Sequence, residues 1–192
     1  MNHTPQIKKA IQFAARKHRG QFRKESEALP YVTHLFSAAL LVAEDGASDD
    51  VVTAALLHDT LEDTDTTREE IASTFNERVA KLVIAVTEKK EVSGKKLEWK
   101  ERKAEYLDGL TRADPDALLI ALADKVDNLE SWNEGYRSEG DAFLSHWKRP
   151  RDDYRWFYEE ALRIAKERLP NHPLTKRYAE AYQIFARSLG SR

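Results

Sequence analysis

The chain has 192 residues, 31 basic and 33 acidic, a net charge of −2, and no cysteine. That balance leaves no global basic field for nucleic acid, and the missing cysteines exclude disulfides, thiolate catalysis and cysteine-bound zinc. The length suits one domain, residues 1–192, with a substantial core. Met1-Asn2-His3-Thr4-Pro5 lacks the apolar core of a signal peptide. No apolar run approaches the roughly 20 residues that cross a bilayer. A cytoplasmic protein without membrane or nucleic-acid partners is expected.

Period-two alternation is nearly absent, and apolar residues recur at spacings of three and four. This predicts an all-α bundle of about eight to ten helices. The first covers residues 5–18, with Ile7, Ala10, Ile11, Ala14 and Ala15 on one face. Residues 20–27 form a polar loop containing Arg23 and Lys24. Pro30 to Thr33 opens a helix ending near Glu44, where Asp45-Gly46 stops it. Ser48-Asp49-Asp50 caps the next, which runs through His58 to Thr64.

Thr66 and Thr67, each with Glu three residues on, offer overlapping capping boxes before a short helix at residues 71–75. Residues 76–88 and 97–110 are helical, with a polar loop at 89–96. Asp114-Pro115 is an N-cap with proline at the first helical position, and it opens a helix to about Ser131. Residues 132–151, with Gly135 and Gly140 and the basic Lys148-Arg149, read as irregular. Helices at 152–168 and 174–188 close the chain and pack on a motif-bearing core at about 5–130.

The chemistry concentrates in Ala54-Ala55-Leu56-Leu57-His58-Asp59-Thr60-Leu61-Glu62-Asp63-Thr64. On a continuous helix Glu62 would lie one turn beyond His58 and Asp63 one turn beyond Asp59. A helix this apolar penalises four polar groups unless a cation accompanies them. His34 also sits mid-helix among apolar residues, whereas His3, His18, His146 and His172 have polar or terminal surroundings and read as solvated. Asp124 follows seven apolar residues, 117–123, within one helix; Lys125 points about 100° away and Asn128 lies one turn on.

His34, His58, Asp59 and Asp124 make a nitrogen-and-oxygen set that suits manganese, iron or zinc better than calcium or magnesium. Such an ion activates water and offsets phosphate charge. Glu62 and Asp63 are then free to position that water and handle its proton. Arg23 and Lys24 could stack on a base or grip a phosphate if their loop covers the site. Lys148, Arg149, Arg151 and Arg155 form a second basic group able to meet a polyphosphate, although a solvated surface explains them better.

With these residues in view, the chain resembles the HD metal-dependent phosphohydrolases. Within them, Arg23-Lys24, Pro30 to His34, Ala54 to Thr64, Leu122 to Lys125 and Asn128-Leu129 resemble the alarmone hydrolases, both stand-alone and Rel/SpoT-type. The resemblance implies a single compact helical HD domain that uses Mn²⁺ to remove the 3′-pyrophosphate of guanosine tetra- and pentaphosphate. It implies metal ligation by His34, His58, Asp59 and Asp124, and water handling by Glu62 and Asp63. Arg23, Lys24 and Asn128 would contact the nucleotide. The length leaves no room for a synthetase domain.

The chain departs from the pattern at Asp127 and Glu130, where histidine and arginine are usual. That places negative charge near the presumed nucleotide pocket and widens the candidate substrates to adenosine analogues. The alternatives are an HD nucleotidase acting on another nucleotide, or a non-catalytic nucleotide-binding partner. The four tryptophans, three of them in residues 132–156, could serve a lid or the surface of a homo-oligomer.

Overall fold

The computed structural model describes residues 3–24, 26–92 and 94–190, with the side chains of 26–28 left aside. Among these, helices dominate: α1 Pro5–Lys17, α2 Val32–Glu44, α3 Asp49–Leu57, α4 Thr60–Asp63, α5 Arg68–Thr74, α6 Glu77–Val86, α7 Trp99–Arg112, α8 Pro115–Glu139, α9 Arg151–Arg168 and α10 Pro173–Ser188. Two small antiparallel hairpins interrupt them: β1 Phe22–Arg23 with β2 Ser26–Pro30, and β3 Glu91–Val92 with β4 Lys95–Lys96. The all-α expectation holds; the β3–β4 hairpin falls within the loop read at 89–96, while β2 runs past the loop read at 20–27 as far as Pro30, where a helix was expected to open.

Helix α8 is the axis of the molecule. Asp114 accepts a hydrogen bond from the Asp116 amide, and Pro115 presets the first turn. Its apolar run is buried on nearly every side because α2, α3, α6, α9 and α10 all pack against it. At 25 residues it spans about 38 Å, long enough to carry site residues on one part and core residues on another.

This helix corrects the expectation for residues 132–151. It runs on to Glu139, and a 3₁₀ segment, Gly140–His146, turns the chain. Gly135, read as a sign of irregularity, is a packing residue: a Cβ there would lie 2.1 Å from the ring of Phe143. Of the tryptophans, Trp132 belongs to the core and not to a lid. Trp132 is buried, donates to Ser188 Oγ at 2.9 Å, and packs against Phe143, Trp147, Tyr154 and Phe185. Three members of the second basic group are likewise engaged within the fold. Arg149 covers the Trp99 ring at 5.0 Å, while Arg151 and Arg155 donate to the carbonyls of Leu189 and Gly190.

Of the two capping boxes, Thr67 alone caps α5, accepting from the Glu70 amide, and Glu70 turns to Lys17 instead of completing a box. Glu98 and Glu101 form one at the start of α7.

Gly135→Ala should gain helix propensity worth up to about 1 kcal/mol yet lose more, because Phe143 is fully buried and cannot withdraw. Overpacking of this kind costs about 1–3 kcal/mol. Thermal unfolding of the variant should show a lower midpoint than the parent, whereas an unchanged or higher midpoint would contradict the contact.

Candidate active site

The stretch 54–64 is not one continuous helix. The break falls at His58 and Asp59, because side chains there take the carbonyls that a running helix would use. His58 Nδ1 donates to Ala55 O at 2.8 Å and Thr60 Oγ1 donates to Leu57 O at 2.6 Å. Helix α3 ends, and the Asp59 carbonyl starts α4 by accepting from the amides of Glu62 and Asp63 at 3.2 and 3.0 Å. The relation between Asp59 and Asp63 therefore survives, while the one between His58 and Glu62 does not. The bend lets His58 and Asp59 face the same space.

Helix α2 brings His34 to that space, and α8 brings Asp124. The rings of His34 and His58 meet edge to face with centroids 5.0 Å apart. His58 Nε2 lies 3.1 Å from Asp59 Oδ2, and His34 Nε2 lies 3.7 Å from the same oxygen. Asp124 Oδ1 is 3.2 Å from His34 Nε2 and 3.9 Å from His58 Nε2. One donor atom from each of His34, His58 and Asp59 falls within 4.8 Å of the others, close enough to share one ion. Both imidazoles are buried, and His58 Nε2 makes no well-directed hydrogen bond. A buried nitrogen with no hydrogen-bond partner, beside carboxylate oxygens, fits a cation.

Without an ion, a proton on His58 compensates the neighbouring carboxylates. Burial opposes the charged form of His58, but the adjacent Asp59 carboxylate outweighs it and holds the imidazole at about 9. Asp59 is displaced the other way: burial would raise it, and His58 keeps it below the ordinary carboxylate value. Glu62 is pushed up to about 7, chiefly by burial and further by the charge of Asp59. It is held in place by the Glu88 amide, which donates to Glu62 Oε1. Asp63 stands at the rim, raised by desolvation and again by Asp59.

The remaining expected residues divide. Arg23, on β1, is not a solvated loop residue. It is buried, lies over the Tyr31 ring at 6.0 Å, and donates to Asn128 Oδ1 at 3.2 Å. Lys24 is exposed beside it. Asn128 donates to Asp124 Oδ1, which ties it to the site. The cation for Asp124 that helical geometry seemed to deny is Lys125, whose buried Nζ bends back to Oδ2 under the rings of Tyr106 and Phe157.

Asp127 and Glu130 do not place loose negative charge in the pocket. Asp127 Oδ2 accepts from His34 Nδ1 at 2.6 Å, and Glu130 pairs with Arg177 of α10 at 2.7 Å.

Two groups were missed in the sequence. Tyr31 donates its hydroxyl to Asp59 Oδ2, and His18, expected to be solvated, is buried and stacked on Tyr31 at 5.3 Å. The signals were present. Tyr31 lies three residues before His34, hence on the same face, and His18 lies four beyond Ala14 on the buried stripe of α1. Lys90 is a third arrival, reaching the carbonyl of Glu62 at 2.6 Å from the β3 hairpin.

The chain belongs to the HD domain family, whose model matches residues 10–143. Membership implies a divalent metal, and the His34, His58 and Asp59 donors fit one. Among relatives, the human guanosine-3′,5′-bis(diphosphate) 3′-pyrophosphohydrolase MESH1 is 42% identical over 130 residues, 67% of this chain and 70% of that protein. An Aquifex aeolicus protein carrying the same enzyme name is 46% identical over 132 residues, again 67% of this chain but only 18% of that much longer relative. A solved metazoan ortholog of SpoT, described as hydrolysing ppGpp, superposes with a TM-score of 0.80 at 30% identity, covering 98% of this chain and 99% of that one. A Listeria monocytogenes structure gives 0.72 at 32% identity, over 80% and 99% of the two chains. The last two helices, outside the matched family residues, thus have counterparts in the metazoan structure.

The Glu88 that supports Glu62 is buried and paired with Arg102 at 2.6 Å and with Lys103. Burial would raise its pKa, but Lys103 and Arg102 lower it below the ordinary glutamate value of 4.5. A depressed carboxylate stabilises the fold above its unfolded pKa and loses that contribution as pH falls through the folded one. Glu88→Gln should therefore unfold at a lower temperature than the parent at neutral pH, and the gap should narrow below about pH 4.5. Melting curves across pH check this; a gap that widened in acid would contradict it.

Proposed function

We propose that this chain removes the 3′-pyrophosphate from guanosine tetra- and pentaphosphate, with Mn²⁺ as the working ion. The carrying observation is the convergence of His34, His58, Asp59 and Asp124 from three parts of the chain onto one buried spot, with Glu62 beside it at a pKa of about 7. The names of the similar proteins support the substrate. The absence of cysteine ligands and the presence of two imidazoles support a transition ion over calcium.

In this reading His34, His58, Asp59 and Asp124 hold the ion, which supplies Lewis acidity and offsets phosphate charge when bound. A water attacks phosphorus, the bond from phosphorus to the ribose 3′ oxygen breaks, and pyrophosphate leaves. Glu62 takes the proton of the attacking water and returns a proton to the departing ribose 3′ oxygen, an exchange that a carboxylate titrating near pH 7 can make in both directions. Asp63, at the rim, orients that water. Arg23 and Lys24 meet the base and phosphates from the β1 side, and Asn128 meets the ribose. Arg23 is already ordered by Asn128 and Tyr31, so nucleotide binding need not freeze a mobile guanidinium.

Glu62→Gln keeps the acceptor that the Glu88 amide needs and removes the base. Its kcat for pyrophosphate release with Mn²⁺ should fall by about 10²–10⁴, with the melting temperature little changed. Offering guanosine tetraphosphate, its adenosine counterpart and 5′-nucleotides side by side tests the substrate. Inorganic phosphate released from a 5′-nucleotide, with no pyrophosphate from the others, would replace this reading by the nucleotidase one.

A further inference from the structure

Asp127 stands where the resemblance leads one to expect histidine, and its geometry gives it a task. It lies three residues beyond Asp124 on α8, so both carboxylates share a face. That face meets the His34 ring from both nitrogen sides. Asp124 Oδ1 is 3.2 Å from Nε2, and Asp127 Oδ2 is 2.6 Å from Nδ1. His34 is buried, with 1% of its side chain exposed, so the ring has no water to turn towards.

We propose that Asp127 is a positioning residue for the metal site: it fixes the proton of His34 on Nδ1 and leaves the Nε2 lone pair facing Asp59 and Asp124. A carboxylate acceptor behind a ligating imidazole sets its tautomer and orientation and makes it a better donor. Only a lone pair can bind a cation, so a ring held the other way would be useless there. The same oxygen lies 3.9 Å from Arg23 Nη2. Asp127 therefore couples the metal side of the site to the residue assigned to the nucleotide. The proposal rests on the metal-binding reading above.

The test is titration of the metal-stripped full chain with Mn²⁺ alone, in the wild type, His34→Ala, Asp127→Ala and Asp127→Asn, followed by kcat and KM on guanosine tetraphosphate at saturating Mn²⁺. Asp127→Ala should weaken Mn²⁺ binding by about 10–100-fold, and Asp127→Asn, which keeps an acceptor without the charge, should fall between. The metal-free melting temperatures and helical circular dichroism should stay close to the parent's. Unchanged Mn²⁺ affinity in Asp127→Ala, with affinity lost in His34→Ala, overturns this proposal while sparing the metal site. A raised KM alone would then assign Asp127 to Arg23 only. A wild type that binds no Mn²⁺ overturns both readings. If Asp127→Ala does not fold, Asp127→Asn decides: weaker binding supports the role, and the parental affinity overturns it.

Discussion

Two carboxylates and two imidazoles held out of water at one point are the constraint around which this molecule is built. Each would be costly to bury alone. Together they are mutually satisfying: Asp59 keeps His58 charged against burial, and Asp124 lies between His34 and Lys125. The arrangement needs α2, the α3–α4 bend and α8 to meet, and much of the packing can be read as what holds them there. Tyr31 anchors Asp59, His18 lies flat on Tyr31, and the Glu88 amide holds Glu62.

Helix α8 translates core packing into site geometry. Its apolar residues are clasped by helices from both ends of the chain, so Asp124, Asp127 and Asn128 project from a rigid support. Precision of this kind is easier to hold on a packed helix than on a loop. The C-terminal helices contribute at a distance. Arg177 of α10 takes up Glu130, and the aromatic cluster around Trp132 fixes the far half of α8. A charge at residue 130 that looks foreign to a nucleotide pocket is thereby part of the scaffold.

Much of this was legible in advance because helical periodicity is a local property. The positions of α1, α2 and α6 and the start of α8 follow from apolar spacing, helped at α8 by the Asp114-Pro115 cap, within a few residues, whereas the end of α8 lies well beyond the expected Ser131. His34, His58 and Asp124 stood out as polar groups that an apolar helix should not contain, and they are the groups the structure gathers. Residues 132–151 misled because glycine was taken as a breaker. Gly135 lies inside a helix since a buried ring leaves room for nothing larger, a reason that depends on a residue beyond that helix.

The sequence by itself determined the helical class, the inventory of ligands and bases, and the exclusion of cysteine chemistry, because these depend on residue type and spacing along the chain. Only the tertiary structure decided which charges are partners. It showed Lys125 bending back to Asp124, Asp127 behind His34, Arg23 buried against Tyr31 and Asn128, and the break at His58 that turns one helix into two. Pairing of this kind depends on distance between remote segments, and a carboxylate looks the same in sequence whether it faces solvent, a lysine or an imidazole.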